Sequence, residues 1–166
     1  MTMIQNKAND NSFAHGPGRT ISLFGATGSI KAASADTSGR LGLIELTLPP
    51  HFRGLTPHWH AKTTEAFYIL DGTLAFTLDE QTFTITRGGF VLAPPRTLHH
   101  FWNPTAAPAT LLNFFTPGGL EAYFAELAAT FANAPFDAEQ LIAIAAQYDQ
   151  FPPPVNRAQM NAGEHG

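Results

Sequence analysis

Short runs of alternating apolar and polar residues make up the middle of this chain. The clearest is Thr73–Leu78, in which two leucines and a phenylalanine occupy every second position. Alternate residues of a β-strand point to the same face, so this run predicts a strand with one buried face. Residues 82–86 alternate in the same way after a turn at 79–81, and the two runs together predict a β-hairpin.

Further strand-like runs lie on both sides of this hairpin. Phe90–Ala93 is apolar between Gly-Gly and Pro-Pro, and residues 41–48 are apolar at both odd and even positions. Such a run either contains a bulge or has both faces covered, as at a subunit interface. Strands separated by Gly, Pro and Asp at intervals of roughly eight to twelve residues are typical of a sandwich or a barrel.

The apolar period becomes helical after residues 117–119. Apolar residues then recur every three or four positions, which predicts two amphipathic helices. The stripe of the first helix is Leu120, Phe124, Leu127 and Phe131. The second helix is expected to begin at Asp137, with Gln140 as its capping-box partner and a stripe of Leu141, Ile144 and Tyr148. Because strands precede helices without β-α-β alternation, the chain is expected to be an all-β body with a helical C-terminal appendage.

The 166 residues suit a single domain. We expect a flexible N-terminal tail at 1–18, a barrel at 19–117, a helical appendage at 118–151 and a flexible tail at 152–166. The net charge is only -4 and no run of Lys or Arg occurs, which disfavours nucleic acid as a partner. No apolar run approaches the ~20 residues of a membrane helix and no signal-like segment begins the chain, so a cytoplasmic protein without a membrane partner is expected.

One group of residues has the chemistry of a binding site. His58 and His60 would share one face of a strand, with Trp59 on the other. Glu65 follows at an odd offset, so the chain must turn within 61–64, and we expect Glu65 on a next strand running back beside the first. With no cysteine in the chain, thiolate metal sites and disulfides are excluded. Two histidines and a carboxylate form a facial ligand set that leaves positions open for substrate.

A further ligand is available at 99 or 100, where two adjacent histidines cannot both face inward. The surrounding spacings resemble the two motifs of the cupin superfamily. The first motif corresponds to His58-x-His60-x4-Glu65-x6-Gly72, and the second to Gly88-x5-Pro94, Arg96 and His99-x3-Asn103. The sequence departs from the pattern in two places: the glycine before the first histidine is displaced to Gly54, and Arg96 replaces the central glycine of the second motif.

This resemblance implies a small cupin jelly-roll barrel, commonly a homodimer, with one divalent transition metal (Fe, Mn, Ni, Co, Cu or Zn) inside. By position, the residues that match the metal ligands of the family are His58, His60, Glu65 and His99. Residues 115–127 resemble the segment that follows the barrel in bacterial single-domain cupins similar to quercetin (flavonol) 2,3-dioxygenase. We nominate 41–48 as the dimer-forming segment.

The resemblance favours a dioxygenase acting on a small aromatic or enol-bearing, flavonol-like compound. In this hypothesis Glu65 is a ligand that also accepts a proton from the substrate hydroxyl, although it could be a ligand alone. Four phenylalanines could line the substrate pocket or could simply belong to the core: Phe67, Phe76, Phe101 and Phe114. The alternatives are an isomerase, decarboxylase or lyase that uses the metal as a Lewis acid, and a module that binds metal or a small ligand without turnover.

Overall fold

A computed structural model describes residues 18–154 of the chain. Two α-helices follow nine β-strands in this part of the chain. The strands are β1 (Arg19–Leu23), β2 (Ala26–Ala32), β3 (Gly42–Leu48), β4 (Thr64–Asp71), β5 (Thr73–Leu78), β6 (Gln81–Thr86), β7 (Phe90–Ala93), β8 (His99–Trp102) and β9 (Ala109–Thr116). The helices are α1 (Leu120–Thr130) and α2 (Ala138–Ala145), and short 3-10 helices lie at Ser34–Thr37 and Ala146–Tyr148.

The strands form two antiparallel sheets that enclose the core. The large sheet has the order β1-β2-β3-β9-β4-β7, and the small sheet has the order β6-β5-β8. The hairpin of β5 and β6 pairs Thr73 with Thr86 and Leu78 with Gln81, as the alternating pattern predicted. The predicted all-β barrel with two C-terminal helices is therefore confirmed.

The strand predicted at 41–48 alternates in burial along its whole length. Ile44, Leu46 and Leu48 are buried, while Leu43 on the other face is only half-buried. The first alternative, a bulge in this strand, is wrong, because β3 pairs with β9 in unbroken register. The register shift lies in the neighbouring β2, between Ile30 and Ala32. The outer face of β3 is mixed in character, since it carries Leu43, Glu45 and Thr47, which are all half-buried.

Helix α1 packs on the barrel and extends its core. Leu120, Tyr123 and Leu127 are buried in the same apolar cluster as the strands, and Phe124 stacks on Phe115 of β9 with ring centroids 6.0 Å apart. The predicted stripe is confirmed as far as Leu127, whereas Phe131 lies just beyond the helix and is half-buried. The strands and α1 therefore share one hydrophobic core.

The second helix begins at the position predicted from its capping residue, Asp137. The carboxylate of Asp137 accepts hydrogen bonds from the backbone N–H groups of Glu139 and Gln140. Leu141 and Ile144 face the core, and Tyr148 lies in the following 3-10 helix. An N-cap of this kind satisfies N–H groups that the first helical turn leaves without partners.

The predicted tails fall largely outside the described residues, which exclude 1–17 and 155–166. The second tail was expected to start at Pro152, but the carbonyl of Pro152 accepts a hydrogen bond from Trp59 Nε1 at 3.0 Å. Neither α-helix within residues 18–154 has the length and hydropathy needed to cross a membrane. The division at 117/118 between barrel and appendage stays a prediction.

Candidate metal centre

Four side chains that the sequence singled out meet inside the barrel. His58, His60, Glu65 and His99 are all buried, and each offers one ligand atom within 4.8 Å of all the others. Glu65 Oε2 lies 2.9 Å from the Nε2 atoms of His60 and His99 and 3.8 Å from that of His58. The three imidazoles therefore face one carboxylate oxygen.

The segment that carries His58 and His60 pairs with the small sheet. His58 and His99 exchange backbone hydrogen bonds of 3.0 and 2.8 Å, and the carbonyl of His60 accepts from Arg96 N at 2.7 Å. Glu65 belongs to β4 of the large sheet, which pairs with β7 and β9. The expectation that its strand runs beside the first was wrong: the turn at 61–63 carries the chain across to the facing sheet, and the ligands converge from both sides.

Arg96 occupies the position of the missing motif glycine. Its φ is +67°, in the left-handed region that glycine adopts most readily. This conformation directs its N–H to the carbonyl of His60 at 2.7 Å. The departure from the motif therefore leaves the turn intact, and Arg96 helps to hold the segment of the first two histidines.

Hydrogen bonds fix how each imidazole is presented. The Nδ1 atoms of His58, His60 and His99 lie 2.9, 2.7 and 2.9 Å from the backbone carbonyls of Thr56, Asp149 and Thr97. A carbonyl only accepts, so each Nδ1 carries the hydrogen and donates it. Each Nε2 then directs its lone pair to the centre, which is the tautomer that a metal ligand requires.

The close approach of these atoms calls for a positive charge between them. An imidazole lone pair and a carboxylate oxygen repel one another at 2.9 Å unless a proton or a metal ion lies between. Imidazole and carboxylate together suit Fe, Mn, Co, Ni, Cu and Zn. The residues thus fit the expected ion, and this cluster could bind a metal.

Burial and mutual contact shift the pKa values of the cluster. Burial alone would raise the pKa of Glu65, but its contacts with His58, His60 and His99 hold it well below its ordinary value. Burial, together with the charge of His99, lowers the pKa of His58 to about 4. Burial would also lower the pKa of His60, but its hydrogen bond with Glu65 raises it above the ordinary value. Glu65 is therefore anionic and His58 neutral near pH 7, and an incoming metal ion would compete with protons for the ligand atoms.

Asn113 holds the second oxygen of the carboxylate. Its Nδ2 donates to Glu65 Oε1 at 3.0 Å and to the carbonyl of Ala66 at 3.3 Å. Both partners only accept, which identifies the nitrogen of the amide, and its Oδ1 has no hydrogen-bond partner among the described residues. The sequence analysis missed this residue, although a polar residue between Leu111 and Phe115 on the inner face of β9 was a usable signal.

Asp149, in the C-terminal segment, is the second residue that was missed. Its carbonyl accepts from His60 Nδ1, and its carboxylate accepts from the backbone N–H groups of Ala61, Lys62 and Thr63 at 2.9–3.0 Å. No local pattern marks it, because its partners lie 86–89 positions earlier in the chain.

The four phenylalanines nominated for the pocket do not lie together. Phe67, Phe76 and Phe101 are buried and in mutual contact, with ring centroids 5.1–5.8 Å apart, and Phe67 lies 6.3 Å from the ring of His99. Phe114 does not join them, and its nomination is corrected. Strand alternation turns it to the outer face of β9, opposite Leu43.

A small cavity adjoins the cluster at His58. It has a volume of about 20 Å³, which is room for one or two water molecules. Its other lining residues come from the preceding loop, from α2 and from the C-terminal segment: Thr56, Leu141, Ile142, Ala145, Gln150, Phe151 and Pro152. A second cavity, of about 30 Å³, is lined by apolar residues of the barrel and does not reach the four candidate ligands.

Comparison with known proteins agrees with this fold. Residues 44–115 match the model of the cupin domain, a range that contains all four candidate ligands. This part of the chain is therefore a cupin domain, and it contains β4 to β8 with most of β3 and β9.

The individual proteins that resemble this chain share only a small fraction of its residues. The chain is 28% identical over 98 residues to quercetin 2,3-dioxygenase of Bacillus subtilis, a match that covers 59% of this chain and 28% of that enzyme. Among solved structures, an RmlC-like cupin from Shewanella frigidimarina has a TM-score of 0.56 at 16% identity over 72% of this chain and 99% of its own. KdgF from Halomonas sp. has a TM-score of 0.53 at 19% identity, over 59% of this chain and 84% of its own. At these identities the structural matches establish the fold alone.

The contacts of Asn113 predict how its substitution would change metal affinity and stability. In Asn113→Leu, Glu65 Oε1 loses its donor, so Co²⁺ affinity should fall by about 10–100-fold, as for other residues that orient a metal ligand. Stability of the metal-free protein should fall by about 1–3 kcal/mol, because the buried Glu65 Oε1 is left without a donor. Co²⁺ titration followed by visible absorption, and thermal unfolding, measure the two quantities.

The neighbouring residue provides the matched control. Phe114→Leu alters the outer face of the same strand and should leave Co²⁺ affinity unchanged. Equal Co²⁺ affinity in Asn113→Leu and the unaltered protein would contradict the role given to Asn113.

Proposed function

We propose that this protein binds one divalent transition metal through His58, His60, Glu65 and His99 and is a dioxygenase for a small aromatic or enol-bearing, flavonol-like compound. The observation that carries the proposal is the convergence of three imidazole nitrogens, each in the ligand tautomer, on one buried carboxylate oxygen. The similarity of 98 residues to quercetin 2,3-dioxygenase supports the choice of reaction. Since the chain spans only 28% of that enzyme, its activity enters here as a proposal.

The bound ion would act as a Lewis acid, with open positions for substrate and a lowered pKa for a bound hydroxyl group. The residues of the chain would accept the substrate's proton and exclude water from the site. Glu65 would take the proton of the substrate hydroxyl, since a carboxylate oxygen that accepts one hydrogen bond from Asn113 has a further lone pair. Phe67, Phe76 and Phe101 would keep water from the interior.

A substrate of this size needs an opening. The cavity at His58 holds one or two waters, so α2 and residues 149–152 would have to move for an organic molecule to enter. The same closure favours a second candidate function, a metal-binding module without turnover. The two candidates differ in whether the metal-loaded protein consumes oxygen.

The experiment measures oxygen uptake with quercetin after separate loading with Fe²⁺, Mn²⁺, Ni²⁺, Co²⁺, Cu²⁺ and Zn²⁺. At least one ion should give uptake of one O₂ per quercetin lost. Glu65→Gln should reduce the rate by about 10²–10⁴-fold, because both a ligand and a proton acceptor are changed. His100→Ala is the control, since His100 lies on the outer side of β8 and bonds the carbonyl of Arg53. Metal retention without uptake under all six conditions would refute the dioxygenase and support the binding module.

The homodimer expected from the sequence is also a proposal, and the outer face of the large sheet supports it. Tyr68 pairs with Leu112 and with Phe90, and the exposed fractions of Tyr68, Phe90 and Leu92 are 39%, 57% and 46%. With the half-buried Leu43 of β3, these side chains form an apolar surface across four strands. Contiguous apolar surface of this kind is typical of an interface, and a second copy of the chain offers the same surface.

Light scattering after size exclusion tests the dimer at micromolar concentration. The unaltered chain should have the mass of two copies, and Phe90→Glu should shift it toward one copy because a charge would be buried in the interface. Phe136→Glu is the matched control for Phe90→Glu, because Phe136 is 60% exposed but lies on the α1–α2 loop. A monomeric unaltered protein, or equal effects of the two variants, would contradict the assignment.

A further inference from the structure

The C-terminal segment 149–152 docks directly on the loop that supplies two of the candidate metal ligands. Phe151 and Trp59 exchange backbone hydrogen bonds of 2.9 and 3.0 Å, and their rings lie 4.9 Å apart. Trp59 Nε1 also donates to the carbonyl of Pro152 at 3.0 Å. Trp59 lies between the two histidines, so this pairing holds the backbone of both.

Asp149 organises the next part of the same loop. Its carboxylate accepts four hydrogen bonds, from the N–H groups of Ala61, Lys62 and Thr63 and from the hydroxyl of Thr63, at 2.9–3.0 Å. Three successive N–H groups that face one anion form a backbone nest. The nest fixes the turn by which the chain leaves His60 and reaches Glu65 in the facing sheet.

The same residue fixes the orientation of His60. The backbone of Asp149 is left-handed, with φ of +61°, and its carbonyl accepts from His60 Nδ1 at 2.7 Å. The four bonds of its carboxylate to the loop help to determine where that carbonyl lies. A hydrogen bond to the distal nitrogen of a ligating histidine sets its tautomer and ring orientation.

We infer that Asp149 is a positioning residue for the metal centre, and that metal binding and docking of residues 149–152 stabilise each other. The match to the cupin domain ends at residue 115, so this function belongs to the part of the chain beyond the matched domain. Coupling of this kind is reciprocal: whatever strengthens docking must strengthen metal binding by the same factor. The segment 149–152 also lines the cavity at His58. A bound ion would therefore stabilise the closed position of the residues that cover its own site.

This inference rests on the metal-binding part of the proposed function and not on the dioxygenase. Its test therefore needs no substrate. Asp149→Gly removes the carboxylate and tolerates the left-handed backbone, whereas Asp149→Asn keeps one acceptor oxygen in a residue that also tolerates it. Ser38→Gly is the backbone control, because Ser38 is exposed and left-handed with φ of +54° in another loop.

Co²⁺ titration should give an affinity about 10–100-fold weaker for Asp149→Gly, a smaller loss for Asp149→Asn and none for Ser38→Gly. Hydrogen exchange should be faster at the amides of 61–63 in Asp149→Gly. In the unaltered protein, Co²⁺ should slow exchange at 61–63 and at 149–151 together. Nitrogen NMR of the metal-free protein should find His60 protonated at Nδ1, with that preference weakened in Asp149→Gly.

Two results would overturn the inference: Co²⁺ affinity in Asp149→Gly equal to that of the unaltered protein, or an unchanged His60 tautomer in that variant. If Asp149→Gly does not fold, Thr63→Val removes one of the four bonds, and an unchanged Co²⁺ affinity in that variant overturns the inference equally. Failure of the unaltered protein to bind Co²⁺ would refute the metal centre itself. The tautomer and the exchange rates at 61–63 in the metal-free protein would still decide whether Asp149 positions His60.

Discussion

The structure depends on an arrangement that is repulsive without a cation. Three imidazole nitrogens and a carboxylate oxygen meet inside the barrel, where water cannot screen them. The Nδ1 hydrogens are committed to backbone carbonyls, so the rings cannot turn their lone pairs away. A folded chain tolerates such a cluster only with a positive charge at its centre, and the donor types are those that transition metals bind.

The barrel provides this arrangement by taking the ligands from opposite sheets. Glu65 comes from the large sheet and His99 from the small one, while His58 and His60 lie on a segment paired to the beginning of β8. No single strand could place all four donors around a point. The loop between His60 and Glu65 therefore has to cross between the sheets, and its backbone N–H groups are satisfied by Asp149 from the far end of the chain.

Local patterns predicted much of this and failed where contacts are distant in sequence. Alternation placed the β5–β6 hairpin, and the cupin spacings selected His99 over His100, which lies on the other side of its strand. The sheet that Glu65 joins could not be read from its offset to His60, because it is set by the pairing of β4 with β7 and β9, which lie far along the chain. Phe114 was placed inside because composition does not tell inner from outer positions, whereas the register of β9 does. Asn113 lies outside both motifs, so only its alternation with Leu111 and Phe115 could have indicated it.

X-ray absorption at the metal edge of the loaded protein tests the central claim most directly. The account predicts one ion per chain surrounded by nitrogen and oxygen donors, with the multiple-scattering pattern of three imidazoles and the loss of one imidazole in His99→Ala. An ion that carries only water and carboxylate donors, or one that keeps three imidazoles in His99→Ala, would contradict it.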